Sequence, residues 1–219
     1  SAPDDAVYLQ AKEFAHRIAE SGYMVITGAG PGVMAAGNEG AGREHSFGMG
    51  IALPFETDAN EFIEGDPKMI LFKYFFTRKL AFLKDSHAVV LCPGGFGTHD
   101  EGFEALTLIQ TGKAQLMPVV LLQPPGYGCW DRWAEYVETT LLKKGMISPP
   151  DLHLYKVTES VDEACAEIER FYCRYHSMRF EGDELLLRLS EGLSSEMLDR
   201  LNSEFADILT GGRIEETDC

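Results

Sequence analysis

The sequence predicts an α/β domain: a doubly wound parallel sheet with helices on both faces. Three observations predict it. Short apolar runs alternate with stretches of helical spacing along most of the chain, the order that a parallel sheet with helical crossovers requires. Those runs are continuous rather than alternating, as in strands covered on both faces. Two glycine turns, Gly28–Gly32 and Pro93–Thr98, each follow an apolar run and precede a helix, the position where open α/β sheets bind ligands.

Asp4–Ser21 carries Val7, Leu9, Ala11, Phe14, Ala15, Ile18 and Ala19 at helical spacing, with Asp4 or Asp5 as the cap and Gly22 as the stop. Tyr23–Thr27 (YMVIT) reads as a buried strand. The GAGPG turn follows, with Pro31 suited to the first position of a small-residue helix, Val33–Ala41. Gly48–Leu53 is a second strand and Glu56–Asp66 a polar loop. Ile70–Lys84 reads as one helix with Phe72, Phe75, Phe76, Leu80 and Leu83 on its apolar face; the aromatic stretch belongs to the core or to a dimer interface.

Ala88–Cys92 is the third strand, Glu101–Thr111 a helix that Gly112 stops, and Pro118–Gln123 the fourth strand. Tyr127–Gly145 contains a helix, with Trp130 and Trp133 facing inward, and Leu154–Val157 is a short fifth strand. Ser160 and Glu163 have capping-box spacing ahead of a helix over Val161–Tyr175. Residues 1–180 form the ligand-binding domain, and 181–219 an extension that packs on it or on a dimer partner. In the extension, Leu185–Leu189 alternates, Ser195–Leu209 is an amphipathic helix ended by Gly211, and Thr217–Cys219 is frayed. A doubly wound domain usually opens on a strand and this chain opens on a helix, so a first strand is expected outside the sequence shown.

The chain has 219 residues and a net charge of −16. A field of that sign repels nucleic acid over any broad surface, and with no basic stripe along the chain it argues against DNA handling. Small anions bind only where local dipoles and cations override it; Arg78, Lys79 and Lys84 stand just ahead of the second glycine turn. The five cysteines (Cys92, Cys129, Cys165, Cys173 and Cys219) include no CxxC pair, which reads as reduced thiols in the cytoplasm. No apolar run reaches the ~18 residues of a membrane span. His45, His87, His99, His153 and His176 lack metal-ligand spacing.

Pro93–Glu101, PGGFGTHDE, concentrates the chemistry. Gly94, Gly95 and Gly97 remove side chains where the backbone turns and a ligand comes close. The following helix offers free N–H groups and the positive end of its dipole to an anion. Thr98 adds a hydroxyl and Glu101 a carboxylate. Taken alone, Thr98 and Glu101 also have capping-box spacing, and Arg78 is also placed to pair with Asp85. Glu104, one turn after Glu101, either supports the site or sits on a solvated face. Gly28, Gly30 and Gly32 serve both a tight turn and close helix packing.

The pattern PGGxGTxxE resembles the signature of the LOG (Lonely Guy) family of phosphoribohydrolases, long described as lysine decarboxylase-like. Thr27–Ala41 (TGAGPGVMAAGNEGA) looks like that family's first glycine loop and helix, Thr77–Lys79 (TRK) like its arginine motif, and Glu104–Lys113 (EALTLIQTGK) like its next helix. The resemblance runs from about Ala2 to Phe180. It implies a Rossmann-like domain that binds a nucleoside 5'-monophosphate, AMP or a cytokinin riboside monophosphate, and hydrolyses its N-glycosidic bond to free base and ribose 5-phosphate.

By the same resemblance Arg78 and Glu101 are the catalytic pair. Gly94, Gly95, Gly97 and Thr98 hold the phosphate, and Gly30, Gly32, Met34, Lys79 and Glu104 complete substrate binding. Neither metal nor cofactor is implied, and a homodimer or higher homo-oligomer is. His99 and Asp100 fill the variable positions of the motif. Nothing marks the Schiff-base lysine that decarboxylation of lysine needs. The alternative is a nucleotide- or cofactor-binding protein of the same superfamily without catalysis.

Overall fold

The computed structural model describes residues 1–52 and 59–217. Leu53 of the expected second strand, 56–58 of the expected loop and 218–219 of the expected frayed tail lie outside the described residues. The chain divides into two compact units, Ser1–Phe171 and Tyr172–Cys219.

In the first unit the elements are α1 (Ala6–Glu20), β1 (Val25–Thr27), α2 (Val33–Ala41), β2 (Ser46–Ile51), β3 (Met69–Phe72), α3 (Phe75–Lys84), β4 (Val89–Leu91), α4 (Phe96–Gln110), β5 (Val119–Leu122), α5 (Cys129–Tyr136), β6 (Lys156–Thr158) and α6 (Val161–Tyr172), the last ending at the boundary. The second holds the hairpin β7 (Tyr175–Glu181) and β8 (Glu184–Leu189), paired antiparallel, and α7 (Ser195–Glu204). The second unit opens at Tyr172, ahead of the hairpin.

The strands of the first unit are all parallel, with helices on both sides. They form two sheets of three strands, ordered β1-β2-β3 and β4-β5-β6. Thr27 lies opposite Gly48, and Leu91 opposite Leu121. β5 is the inner strand of its sheet, and all four of its residues are buried, which explains its unbroken VVLL. Trp130 at the start of α5 is 1% exposed and joins Leu91, Ile109, Met117, Val119 and Leu121 in one core. Its indole N–H donates to the Leu122 carbonyl at 3.1 Å, and its backbone N–H donates to the buried Gln123 side chain at 2.7 Å. Trp133 packs edge-on against both Trp130 and Tyr155.

α1 begins where Asp5 accepts a hydrogen bond from the Val7 amide at 2.8 Å, a cap worth about 1 kcal/mol. Its face of Tyr8, Ala11 and Ala15 packs on the small residues of α2. The contact is so close that a Cβ on Gly40 would collide with the Lys12 carbonyl. Leu9, counted in the apolar face, points outward instead.

The structure corrects several sequence expectations. The segment expected to be one helix from Ile70 is strand β3 followed by α3, because Met69–Phe72 pairs with Gly48–Ile51 of β2. Of the expected apolar face only Leu83 is buried; Phe76 is 69% exposed, so the aromatic stretch is not core. α4 starts at Phe96 rather than Glu101, which puts Thr98 and Glu101 inside the helix; its cap is Gly95, with no side-chain capping bond. Pro31 stands outside α2, since Gly32 takes the cap with φ of 70° and ψ of −130°, a conformation open to glycine. Ser160 accepts from the Glu163 amide, but Glu163 takes the Thr158 hydroxyl instead of closing the box. α6 ends at Tyr172, and Tyr175 opens a strand.

Candidate active site

β1 and β4 deliver the two glycine turns to the mouth of one cleft of about 640 Å³. Its wall includes Gly28 and Gly32 from the first turn, Met34 from α2, Arg78 and Phe82 from α3, Gly94 and Gly95 from the second turn, and Gly97, Thr98 and Glu101 from α4. Most residues that the sequence singled out therefore meet there. Gly30, Lys79 and Glu104 are not in the cleft wall.

The first turn is held in an unfavourable conformation. Ala29 has φ of 59°, which costs a non-glycine residue about 1–2 kcal/mol. Buried polar groups compensate. The Thr27 hydroxyl accepts from the Ala29 amide at 3.0 Å and donates to Asn38 Oδ1 at 2.7 Å. Asn60 Nδ2 donates to the same Oδ1 at 3.0 Å and to the Gly30 carbonyl at 3.2 Å. Its backbone N–H donates to the Ala29 carbonyl at 2.8 Å. Sequence reasoning missed Asn38 and Asn60 as supports. Asn38 in the helical stretch Val33–Ala41 was the available signal, because asparagine in a helix interior needs a partner for its amide. The Met34 thioether lies over the turn, against Gly28 and Gly30.

The second turn leads into α4. The first intrahelical bond from the α position runs from the His99 amide to the Gly95 carbonyl, so the Phe96 and Gly97 amides precede it. Gly95 offers no side chain to cap them, which leaves donors and the positive end of the helix dipole for an anion. A Cβ on Gly94 would overlap the Thr98 hydroxyl, so glycine is required there. Gly95 and Gly97 are different: a Cβ on either would meet nothing within 4 Å. The fold itself does not require glycine at those two positions.

Arg78 and Glu101 face each other across the cleft, Nη2 to Oε1 at 3.6 Å. That is an ion pair but beyond hydrogen-bond length, so neither group is used up by the other. Arg78 pairs with Glu101 rather than with Asp85. Its guanidinium sits over the rings of Phe75 and Phe82 at 5.2 and 5.7 Å, which fixes its plane. Its Nε is shut off from solvent with no hydrogen-bond partner among the described residues. Burial pushes the Glu101 carboxyl above the usual carboxylate range, while Arg78 and Lys79 pull it back and Glu104 and Asp100 add to the rise.

Lys79 is spoken for by Asp100 at 2.6 Å and Glu104 at 2.9 Å. Burial disfavours its charge, but those two carboxylates outweigh it and raise its pKa. The three form a buttress beside Glu101. His99 turns its ring edge to Trp130 at 5.5 Å between ring centres. Among the described residues no group of three His, Cys, Asp or Glu is placed to hold a metal, and no helix is long and apolar enough to cross a membrane.

Comparison with known proteins bears on this geometry. The family described as "possible lysine decarboxylase" matches residues 32–168. A curated relative, the cytokinin riboside 5'-monophosphate phosphoribohydrolase LOG1 of Arabidopsis thaliana, is 30% identical over 101 residues, or 46% of each chain. The match thus spans about half the length of that relative.

Among solved structures, the molybdenum cofactor carrier protein of Chlamydomonas reinhardtii is 22% identical with a TM-score of 0.52, over 75% of this chain and 86% of that one. The molybdenum cofactor binding protein of Rippkaea orientalis is 21% identical with a TM-score of 0.51, over 76% and 88%. The structural-genomics target TM1055 is 26% identical with a TM-score of 0.53, over 78% and 91%. The two cofactor proteins share the Rossmann-like fold. Because the family match takes in more than half of the residues, both glycine-turn helices and the Arg78–Glu101 pair among them, the chain belongs to the "possible lysine decarboxylase" family of LOG type.

Proposed function

We propose that this protein hydrolyses the N-glycosidic bond of a nucleoside 5'-monophosphate, releasing free base and ribose 5-phosphate. The observation that carries the reading is the pairing of Arg78 and Glu101 in one cleft, opposite an uncapped helix N-terminus. The family membership and the curated relative's activity support it, as does the absence of any structural need for glycine at 95 and 97.

In this reading the 5'-phosphate lies on the Phe96 and Gly97 amides and the Thr98 hydroxyl. Gly95 and Gly97 let it approach, and the helix dipole offsets the −16 charge of the chain locally. Gly32 and Met34 border the substrate, with Gly30 shaping their turn from behind. The ribose then falls between α4 and Arg78. Breaking the C1'–N bond leaves positive charge on the sugar, as in glycoside hydrolysis. The Glu101 carboxylate stabilises that charge and takes a proton from the water that attacks C1'; the bond electrons leave with the base, which takes up a proton from solvent, and Glu101 then returns its own to solvent. A raised pKa makes Glu101 a stronger base than an exposed glutamate. Arg78 keeps Glu101 ionised and offers its remaining N–H groups to the phosphate. Lys79 and Glu104 act as positioning residues through their ion pairs.

The test is product analysis with a panel including AMP and isopentenyladenosine monophosphate. Wild type is expected to release free base, and Glu101→Ala to lose at least ~100-fold in rate, the scale of a general base. Equal rates in the two proteins overturn the assignment of Glu101. Ligand bound without any base released by wild type supports a carrier instead.

A further inference from the structure

The first glycine turn has two different sides. Ala29 is 2% exposed, and its methyl packs inward: a Cβ on Gly48 of β2 would stand 3.0 Å from it and 3.3 Å from Ile63. Gly28 borders the site instead. A Cβ there would meet the Met34 sulfur and stand 3.8 Å from Arg78 Nη1, and both of those side chains line the cleft. A shift of this backbone is therefore a shift of the surface on which Arg78 rests.

One residue outside the turn holds it. The Asn60 Oδ1 accepts from the Phe62 amide at 3.2 Å, so Nδ2 is the end that faces the turn. Nδ2 donates to the Gly30 carbonyl and to Asn38 Oδ1, and the Asn60 backbone N–H donates to the Ala29 carbonyl. Two successive turn carbonyls thus end on Asn60. Asn38 Oδ1 also accepts from the Thr27 hydroxyl, which in turn accepts from the Ala29 amide. The direction of these bonds is fixed: Asn60 must donate, because each atom bonded to its Nδ2 is an oxygen that only accepts.

Without those bonds the turn has reason to move. Ala29 sits at φ of 59°, a strained value for a residue with a Cβ, and the glycines on either side leave its peptides free to rotate. Asn38 is fully buried, so water does not replace a donor lost there. We infer that Asn60 is a positioning residue for the reaction: it pins the two carbonyls of the first glycine turn and thereby fixes the backbone against which Arg78 is set. For its effect on rate the inference rests on the hydrolase reading; for its effect on the turn it rests on hydrogen bonding alone.

Asn60→Asp is the test. Aspartate has the same size, and it keeps both the oxygen for the Phe62 amide and the backbone bond to Ala29. It lacks the donor, and it sets an oxygen against the Gly30 carbonyl and Asn38 Oδ1. A residue that only shaped its own loop would tolerate the change, since asparagine and aspartate serve such turns alike. Asn60→Ala removes the donor without opposing two oxygens, and it carries the same test where the aspartate chain does not fold. Amide exchange at Ala29 reads the turn, and kcat/KM for a nucleoside monophosphate reads the site.

Both variants are expected to speed exchange of the Ala29 amide at least ~10-fold while the β5 amides keep their rates, which marks the loosening as local. kcat/KM is expected to fall about 10–100-fold, the scale of a small misplacement of a catalytic group. Wild-type exchange and kcat/KM in Asn60→Asp overturn the inference, since the donor then does nothing. So does faster exchange with unchanged kcat/KM, because the turn then moves without moving the site. Exchange needs no substrate. Where wild type binds AMP but releases no base, the hydrolase reading fails and AMP affinity takes the place of kcat/KM: weaker binding by the variants is then the expected result, and unchanged binding the overturning one.

Discussion

At the scale of single residues, Glu101 and Gly97 separate function from fold most cleanly. Burial raises the Glu101 pKa, so the acid limb of kcat/KM is expected above the ordinary carboxylate value of about 4.3. Arg78 and Lys79 hold that pKa down from higher still. Lys79→Met is therefore expected to move the limb upward, which a pH–rate profile reads directly. Stability follows with the opposite sign. A carboxyl whose folded pKa exceeds its unfolded one binds protons more tightly when folded. Wild type is thus expected to gain stability relative to Glu101→Gln as pH falls from 7 toward 5, measured as the difference in Tm; a difference flat across that range refutes the burial argument.

Gly97 sits in open space at the second position of α4. Gly97→Ala is expected to leave Tm unchanged or slightly higher, alanine being the better helix former by up to about 1 kcal/mol. Its KM for a nucleoside monophosphate is expected to rise at least ~10-fold, since a methyl then stands where phosphate approaches. A lower Tm with unchanged KM reverses that reading. Both glycines of this kind were visible in the sequence, but their freedom from neighbours was not. Gly94 carries the same letter and is held by contact with Thr98.

At the scale of elements, the α1–α2 contact holds the first turn in place. α2 is short and made almost wholly of small residues, and α1 lies against it at the distance Gly40 permits. The neighbour of Gly40 is a backbone carbonyl, which cannot swing aside as a side chain does. Gly40→Ala is therefore expected to destabilise by about 2–3 kcal/mol, read by denaturant unfolding. Elements were legible where local signals agree, as in α1, β5 and the body of α2. They were not where pairing overrides periodicity. Ile70, Phe72, Phe75 and Phe76 fit a helical face, but β2 presents an edge that Met69–Phe72 fills. The start of α4 was placed too late because its cap is a backbone without a capping side chain. The Lys79–Asp100–Glu104 cluster was half legible: Glu104 was noticed one turn from Glu101, and only the approach of α3 shows what it pairs with.

At the scale of the molecule, charge and exposed surface pull against each other. The net charge of −16 opposes association between copies. The β3–α3 segment nevertheless exposes Leu71, Phe75, Phe76 and Leu80, and Phe96 stands 96% exposed at the start of α4. This surface supports the homo-oligomer that the family resemblance implies. Light scattering is expected to give a dimer or larger species that strengthens with salt as repulsion is screened, and Phe76→Ser is expected to shift it toward monomer. A wild-type chain monomeric at all salt concentrations removes the proposal.

The sequence by itself determined the α/β class, the two glycine turns at strand ends, the family resemblance and the residue types of the site. These depend on local periodicity, on glycine and on a contiguous motif, all read within a short window. Only the tertiary structure decided which of those residues meet. It brought Arg78 from α3 to Glu101 of α4 and turned Lys79 away to Asp100 and Glu104. It set Asn38 and Asn60 under the first turn. Those outcomes arise from contacts between elements distant in sequence, where the position of one backbone relative to another, and not any local preference, decides what each side chain touches.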